Sequence, residues 1–227
     1  MDSELDPLLL HFDVNKTVLF SDGANLKTIE DGIREGISEL FWGTVEEQCG
    51  KVGAWAWTKT DPACDPPGQF SDRSVLNYAQ YCKKAVKNKA LSKVATRSWE
   101  LVADNETRAQ MEQLLRSSLE RLELPSEVLH TKAAQMAGLK GTTLAMFPAI
   151  FTLVALLQRV RRKFGVLFRS FGEDHKKIET EWNAFCEMKH PVFSHLLEGI
   201  GPLDGSVPGL PDRRIRQIHT LYRDASG

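Results

Sequence analysis

The sequence has few cysteines and no pair of them at metal-binding or redox spacing. The four cysteines stand at positions 49, 64, 82 and 186. Without a C-x-x-C pair they are typical of reduced thiols in an intracellular protein, so neither a disulfide framework nor a zinc site is predicted. His190 and His195 come near ligand spacing, but no cysteine pair accompanies them, and we expect core or surface roles for both.

The sequence also lacks a strong net charge and a long hydrophobic run. The formal net charge is −1, which excludes a global field that would attract nucleic acids or membranes. The longest apolar stretch, residues 144–157, contains Pro148 and is shorter than the roughly 20 residues of a membrane-spanning helix. Residues 1–7 are acidic, whereas a secretory signal is basic. We therefore expect a cytoplasmic protein with neither nucleic acid nor membrane as a partner.

Two apolar strands are each followed by polar residues. Residues 8–12 lead directly into Asp13, and residues 166–168 lead into Arg169 and Ser170. Short apolar runs of this kind predict strands that are buried on both faces of a parallel sheet. Open α/β sheets bind their ligands at the carboxyl ends of such strands. Asp13 is therefore the leading candidate for a functional residue.

The long stretch between these strands has mostly helical periodicity. Thr28 and Asp31 form a capping-box pattern at the start of a helix that Gly43 is expected to close. Alternation over 54–57 would suit a short strand, but the surrounding Gly and Pro favour an ordered loop. Further helices are predicted over 74–98, 104–122, 127–137, 148–164 and 173–189.

Residues 73–99 contain seven basic residues and no acidic one. The run has two interpretations. It is either a solvated helix face or an electropositive surface that draws an anionic substrate towards a cleft.

Taken in order, these features resemble the haloacid dehalogenase-like (HAD) superfamily. The first motif of that family is an apolar strand ending in D-x-D-x-T or a variant, and here residues 13–17 are DVNKT. Its second motif is an apolar strand ending in Ser or Thr, which corresponds to Ser170. Helical caps are commonly inserted between the two motifs.

The resemblance implies an α/β fold with a Rossmann-like parallel-sheet core. A large, mainly helical cap would be inserted after the first strand. On this interpretation residues 1–22 and 148–227 form the core and residues 23–147 form the cap. The third and fourth motifs of the family are not recognisable after Ser170, so we expect either a chain that lacks the C-terminal part of the core or a degenerate family member.

The resemblance also implies a set of site residues. Asp13 would be the nucleophile, and Ser170 would hydrogen-bond the transferring phosphoryl group. Mg²⁺ would be held by Asp13 and the backbone carbonyl of Asn15, while Lys16 and Arg169 would bind a small phosphorylated substrate. The implied activity is a phosphohydrolase or phosphotransferase that acts through an aspartyl-phosphate, which divides one difficult displacement into two easier steps.

Asn15 departs from the phosphatase pattern, which has an acid at this position to protonate the leaving group and activate water. General acid–base assistance is typically worth about 10²–10⁴-fold in rate. The alternative hypothesis is therefore a catalytically impaired or truncated HAD-like protein that acts as a binding or regulatory module. A third hypothesis is a helical interaction module built on residues 28–137.

Overall fold

The computed structural model describes residues 6–15, 17–19, 28–48, 51–68, 75–170 and 174–219. The chain divides into two compact units. The split unit comprises Met1–Leu26 and Leu122–Gly227, and the inserted unit is Lys27–Arg121. The sequence interpretation assigned residues 122–147 to an insertion, whereas the contacts place them in the split unit. That these units are a HAD-like core and its cap remains a prediction.

The split unit combines strands and helices. Its described elements are β1 (Leu8–Asp13), α5 (Lys132–Met136), α6 (Pro148–Arg159), β5 (Phe164–Arg169), α7 (His175–Cys186) and a 3₁₀ helix (Ser194–Leu197).

β1 and β5 pair in parallel, from Leu8 opposite Phe164 to Asp13 opposite Arg169. The predicted α/β class with a parallel sheet is therefore confirmed, although the described parallel sheet has only these two strands, and the Rossmann-like core remains a prediction. The prediction that both faces are buried is wrong for the described residues, because exposure alternates along β1. Leu9 and Leu167, which point away from the core, are 64% and 43% exposed.

The core of the split unit lies between the inner face of this sheet and the two longest helices of the unit. Pro148 is the first residue of α6, as predicted, since its fixed φ suits that position. Phe151 of α6 packs against Phe185 and Trp182 of α7, at ring-centroid distances of 4.9 and 6.4 Å. All three side chains are buried. These contacts position the strands whose ends are considered below.

The helix predicted over 127–137 is shorter than expected. α5 begins only after Thr131, whose hydroxyl accepts a hydrogen bond from the Ala134 amide at 3.1 Å. Residues before it form turns, in which Val128 and Leu129 donate to the Pro125 carbonyl. The rigid turn at Pro125 and the cap at Thr131 therefore limit the helix to one short segment.

The inserted unit contains a sheet as well as helices. Its elements are α1 (Ile29–Leu40), β2 (Trp42–Gln48), β3 (Lys51–Trp57), β4 (Val75–Asn77), α2 (Tyr78–Ala85), α3 (Lys89–Ser98) and α4 (Asn105–Glu120).

The predicted capping box at the start of α1 is confirmed by reciprocal hydrogen bonds between Thr28 and Asp31. The predicted closure at Gly43 is wrong, because α1 ends at Leu40 and Gly43 lies in β2. Glycine is needed there, since a Cβ on Gly43 would overlap the Trp55 indole.

The preference for a loop over 54–57 is also wrong. These residues belong to β3, which pairs antiparallel with β2, and β4 pairs on the other side of β2. The Trp55 side chain is buried and its indole N–H donates to the Leu76 carbonyl at 3.0 Å. Tertiary pairing therefore outweighs the neighbouring Gly and Pro signals, and this unit is less purely helical than predicted.

The single helix predicted over 74–98 is interrupted. Asn77 caps α2 through a capping box with Gln80, and the preceding residues form β4. Asn88 caps α3 by accepting hydrogen bonds from the Ala90 and Leu91 amides at 2.9 and 3.1 Å. Asn favours such caps over helix interiors, and two caps divide the periodic run into two helices.

No helix among the residues that the structure describes has the length and apolarity needed to cross a membrane. The cysteines at 64, 82 and 186 are free thiols.

Candidate functional site

The candidate site lies where β1 and β5 end together. Asp13 is opposite Arg169 in the ladder, and the Val14 amide donates to the Arg169 carbonyl at 2.9 Å. Ser170 follows directly and is half-buried, whereas Asp13 and Arg169 are exposed. The parallel pairing therefore brings the two strand-end motifs that the sequence singled out to the same edge of one sheet.

The chain after Asp13 forms a tight, anchored loop. The Val14 carbonyl accepts hydrogen bonds from the Val18 and Leu19 amides, both at 3.0 Å. All three side chains are fully buried in the core. The Phe147 amide donates to the Val18 carbonyl at 2.9 Å, which ties the loop to the start of α6. Asn15 is thus fixed by its neighbours, and Lys16 lies outside the described residues.

Asn15 carries an unusual feature within this loop. Its side-chain oxygen Oδ1 is shielded from solvent and has no hydrogen-bond partner. Leaving a buried acceptor unpaired costs about 1–3 kcal/mol. Most buried polar atoms in proteins are paired, so this unpaired oxygen beside a strand end is an exception that calls for an explanation. Sequence reasoning considered only the backbone carbonyl of this residue.

The oxygen donors at this edge suit a hard cation. Mg²⁺ is usually bound by one or two protein carboxylates, while waters and substrate oxygens complete its octahedral shell. The Asp13 carboxylate and Asn15 Oδ1 provide such a short donor set. The described part of the chain contains no group of three or more His, Cys, Asp or Glu side chains that could hold a metal. By residue type these oxygens are compatible with a sparse Mg²⁺ site, which remains a prediction.

Among the described residues of β1 and β5, Arg169 and His11 are the other charged or ionisable side chains on the outward face at this end. Arg169 is opposite Asp13, and His11 stands two residues before Asp13 on the same side of β1. A guanidinium matches the geometry of phosphate oxygens and stays protonated at any physiological pH. The edge therefore combines a carboxylate, a hydroxyl and a fixed positive charge.

A second polar cluster lies inside the split unit. Glu181 and His190 are 1% and 0% exposed. The Val192 and Phe193 amides donate to His190 Nδ1 at 3.1 Å each, so that nitrogen carries no hydrogen. His190 Nε2 therefore carries it and donates to Glu181 Oε1 at 3.4 Å, while Oε2 accepts from the Met146 amide at 3.0 Å. Each of these side-chain acceptors has a partner.

Burial raises the pKa of the Glu181 carboxyl above its ordinary value, although the hydrogen bonds from His190 and Met146 act in the opposite direction. The His190 ring also packs against Phe151 at 5.1 Å. Glu181 was missed from the sequence. It stands three residues after Ile178 and one before Trp182, so it falls on the apolar face of α7. An acidic residue on an apolar helix face indicates a buried carboxyl group, and this was the signal in the sequence.

The inserted unit has a groove of about 440 Å³ on its surface, between α1, α3 and α4. Arg34 donates to Glu112 at 3.2 Å and lies 4.5 Å above the Trp99 ring, and Arg97 pairs with Asp31 at 3.6 Å. Because each arginine faces an acid, the groove carries balanced charge. The groove therefore does not provide an anion-binding site for the basic residues of 73–99.

No family model, no curated protein and no solved structure matches this chain.

Proposed function

We propose that the split unit is a Rossmann-like core of the HAD type, with the inserted unit as its cap. The protein would act as a Mg²⁺-dependent phosphohydrolase or phosphotransferase on a small phosphorylated molecule. The observation that carries this proposal is the parallel pairing of β1 with β5, which puts Asp13 opposite Arg169 with Ser170 next in the chain.

In the proposed reaction Asp13 is the nucleophile. A carboxylate oxygen forms a bond to phosphorus while the bond to the leaving oxygen breaks, which produces an aspartyl-phosphate. The Ser170 hydroxyl donates a hydrogen bond to the transferring phosphoryl group. The Arg169 guanidinium balances its negative charge, because phosphoryl transfer depends on positioning and charge neutralisation.

Asp13 and Asn15 Oδ1 are the residues that would hold Mg²⁺. When bound, the ion would supply further neutralisation of the phosphate charge. The unpaired state of Asn15 Oδ1 supports this assignment, since a cation would satisfy an oxygen that no described donor reaches. Lys16, the remaining proposed substrate-binding residue, lies outside the described residues.

The test is hydrolysis of a panel of small phosphate esters and acyl phosphates by the parent and by Asp13→Asn, each with and without Mg²⁺. We expect turnover that needs both Asp13 and the ion. Asp61→Asn is the matched control, because Asp61 is an exposed carboxylate of the inserted unit. Equal rates in the parent and in Asp13→Asn would refute the assignment.

The second candidate is a binding or regulatory protein that keeps this site without turnover. Asn15 favours it, because an amide cannot exchange a proton with the leaving group or with water. Saturable binding of inorganic phosphate that depends on Asp13 and Arg169, in a protein that turns over none of the panel, would support this candidate. Asp13-dependent turnover would exclude it.

A further inference from the structure

We infer that α6 carries a dimerisation surface, through which two copies of the chain associate with their α6 helices packed antiparallel. The surface is the outer stripe of α6, which consists of Ala149, Leu153 and Leu156 of the helix and its C-cap residue Val160. The inference goes beyond the proposed function and uses none of the residues at the strand ends, so either can fail without the other.

The outer stripe lies on the side of α6 that faces away from the core. The helix directs four other apolar side chains into the core, where all are buried: Ile150, Phe151, Val154 and Ala155. By contrast, Ala149 is exposed, Leu153 is half-buried, and Leu156 and Val160 are 53% and 62% exposed. A helix at the surface of a protein normally has polar or charged residues on its outer side. α6 is therefore apolar on both sides, which is typical of a helix with a second packing partner.

The spacing of the outer stripe matches the seam between two packed helices. Its members follow one another at intervals of four, three and four residues, which is the alternation of the apolar positions in a coiled coil. At about 100° per residue, the four positions fall within an arc of about 60° around the helix. A helix that packs on a broad apolar surface has an apolar face of about 100° or more. The narrow stripe therefore favours a partner helix over a lipid surface.

The stripe is complementary to itself when the two helices run antiparallel. A two-fold axis between residues 154 and 155 places Leu153 opposite Leu156 of the second copy. The same axis places Ala149 opposite Val160 of the second copy, so a small side chain meets a larger one at each end. Each contact then occurs twice, as it must in a two-fold interface between identical copies.

The charges at the end of α6 select the antiparallel orientation. Arg159 is the last residue of the helix, Arg161 and Arg162 follow it closely, and residues 128–172 contain no acidic residue. Two parallel helices would bring both arginine clusters together, where they would repel each other. Antiparallel helices separate the clusters by the length of α6, about 18 Å, which exceeds the Debye length of about 8 Å at physiological salt. The two copies therefore meet without strong charge repulsion.

The small size of the stripe predicts a reversible dimer. It provides four side chains from each copy, whereas a stable interface of standard size uses roughly 20–30 residues a side. We therefore expect the dimer to form as the protein concentration rises and to dissociate on dilution.

The test measures the mass of the full chain by sedimentation equilibrium from about 1 µM to about 1 mM protein. The parent is expected to change from monomer to dimer within this range. Leu156→Glu and Val160→Glu are each expected to raise the dissociation constant about tenfold or more, because the contact loses an aliphatic side chain and gains a charge. Leu91→Glu is the matched control, since Leu91 of α3 is 60% exposed, and it is expected to dimerise like the parent.

Disulfide cross-linking tests the orientation. With Cys49 and Cys64 replaced by serine, Leu153→Cys and Leu156→Cys are oxidised separately and as a mixture. The antiparallel arrangement predicts that the mixed pair cross-links faster than either variant with itself. Faster cross-linking of each variant with itself would indicate parallel helices and would overturn the inference.

A parent that remains monomeric at every concentration would also overturn it, as would a dimer that Leu156→Glu and Val160→Glu leave unchanged. The same preparations are sedimented with vesicles of phosphatidylserine. A monomeric parent that binds these vesicles, and loses the binding in Leu156→Glu, would assign the stripe to a lipid surface instead.

Discussion

Two polar clusters of the split unit differ in access and in hydrogen bonding. At the sheet edge, Asp13 and Arg169 are exposed and Asn15 Oδ1 has no partner. In the core, Glu181 and His190 are almost fully buried and their side-chain acceptors are all engaged. The first arrangement leaves the Asp13 and Arg169 side chains accessible from solvent, and the second uses its groups to hold the α7 helix to the segments around it.

The difference in burial explains why Glu181 and His190 are not the proposed site. A carboxylate beside an imidazole is a familiar acid–base combination, but at 0–1% exposure no substrate reaches it. Buried, fully paired networks make the local structure unique and are costly to disturb. An unpaired buried acceptor such as Asn15 Oδ1 costs stability, and an exception of this kind in a folded protein calls for an explanation.

The largest expected effect concerns the buried cluster. His190→Ala would leave the Glu181 carboxylate without its side-chain partner and open a cavity beside Phe151. We expect the free energy of unfolding to fall by about 3–5 kcal/mol. The measurement is urea denaturation followed by tryptophan fluorescence.

His195→Ala is the control for that change, because His195 is an exposed histidine of the same region. It should alter the free energy of unfolding by no more than about 0.5 kcal/mol. A similar loss of unfolding free energy in both variants would contradict the claim that the buried His190 contributes more to stability than the exposed His195.

The next effect concerns the sheet edge and is kinetic. Ser170→Ala should slow phosphorylation of Asp13 by about 10²–10³-fold, the usual cost of removing one donor to a reacting oxygen. Ser170→Thr retains the hydroxyl and should recover most of the rate. The check is the loading rate from acetyl phosphate, and a variant without the hydroxyl that loads at the parent rate would contradict the role.

The third effect is a pH dependence of stability. The native pKa of Glu181 lies above its ordinary value of 4.5 because the carboxyl is buried. The native state therefore binds more protons than the unfolded state from about pH 4.5 upward, and the contribution of Glu181 to stability falls as pH rises through that window. The Glu181→Gln side chain cannot ionise, so the variant lacks this pH-dependent contribution to stability.

The measurement is the difference in free energy of unfolding between the parent and Glu181→Gln across a series of pH values. We expect the free energy of unfolding of the parent to fall relative to that of Glu181→Gln as pH rises above about 4.5. A difference that stays constant over the whole series would show that Glu181 does not titrate within the core.

The smallest effect tests the unpaired oxygen. Asn15→Ala removes the cost of an unpaired acceptor but also loses side-chain packing, so the two terms offset and the free energy of unfolding should change by less than about 1 kcal/mol. Asn183→Ala is the matched control, because the Asn183 amide bonds both the nitrogen and the oxygen of Ile215, at 2.8 and 3.1 Å. Its loss should cost about 1–3 kcal/mol. Denaturation in urea compares the two, and an equal cost would mean that Asn15 Oδ1 is paired in solution.

Several local features could be predicted because neighbouring residues decide them. The capping box of Thr28 and Asp31 and the helix start at Pro148 need only a few consecutive residues. The apolar runs before Asp13 and Arg169 predicted both strands of the parallel sheet. The polar residues at the strand ends could be identified because they directly follow the apolar runs in the sequence.

Other features depend on residues far apart in the chain. The local sequence predicts Gly43 as a helix stop, but glycine is required there because the Trp55 indole packs on it. The pairing of Glu181 with His190 needs α7 and the turn after it to meet. No local pattern contains that information, because distant backbone groups supply the partners.

The sequence by itself determined the identity of the strand-end residues, the order of the two motifs and the absence of an acid at Asn15. Only the tertiary structure decided that the two strands are neighbours and parallel, that their outer face is exposed, and that Asn15 Oδ1 is left unpaired. The physical reason is that residue type is a property of the chain, whereas burial and hydrogen-bond satisfaction depend on which distant groups the fold brings into contact.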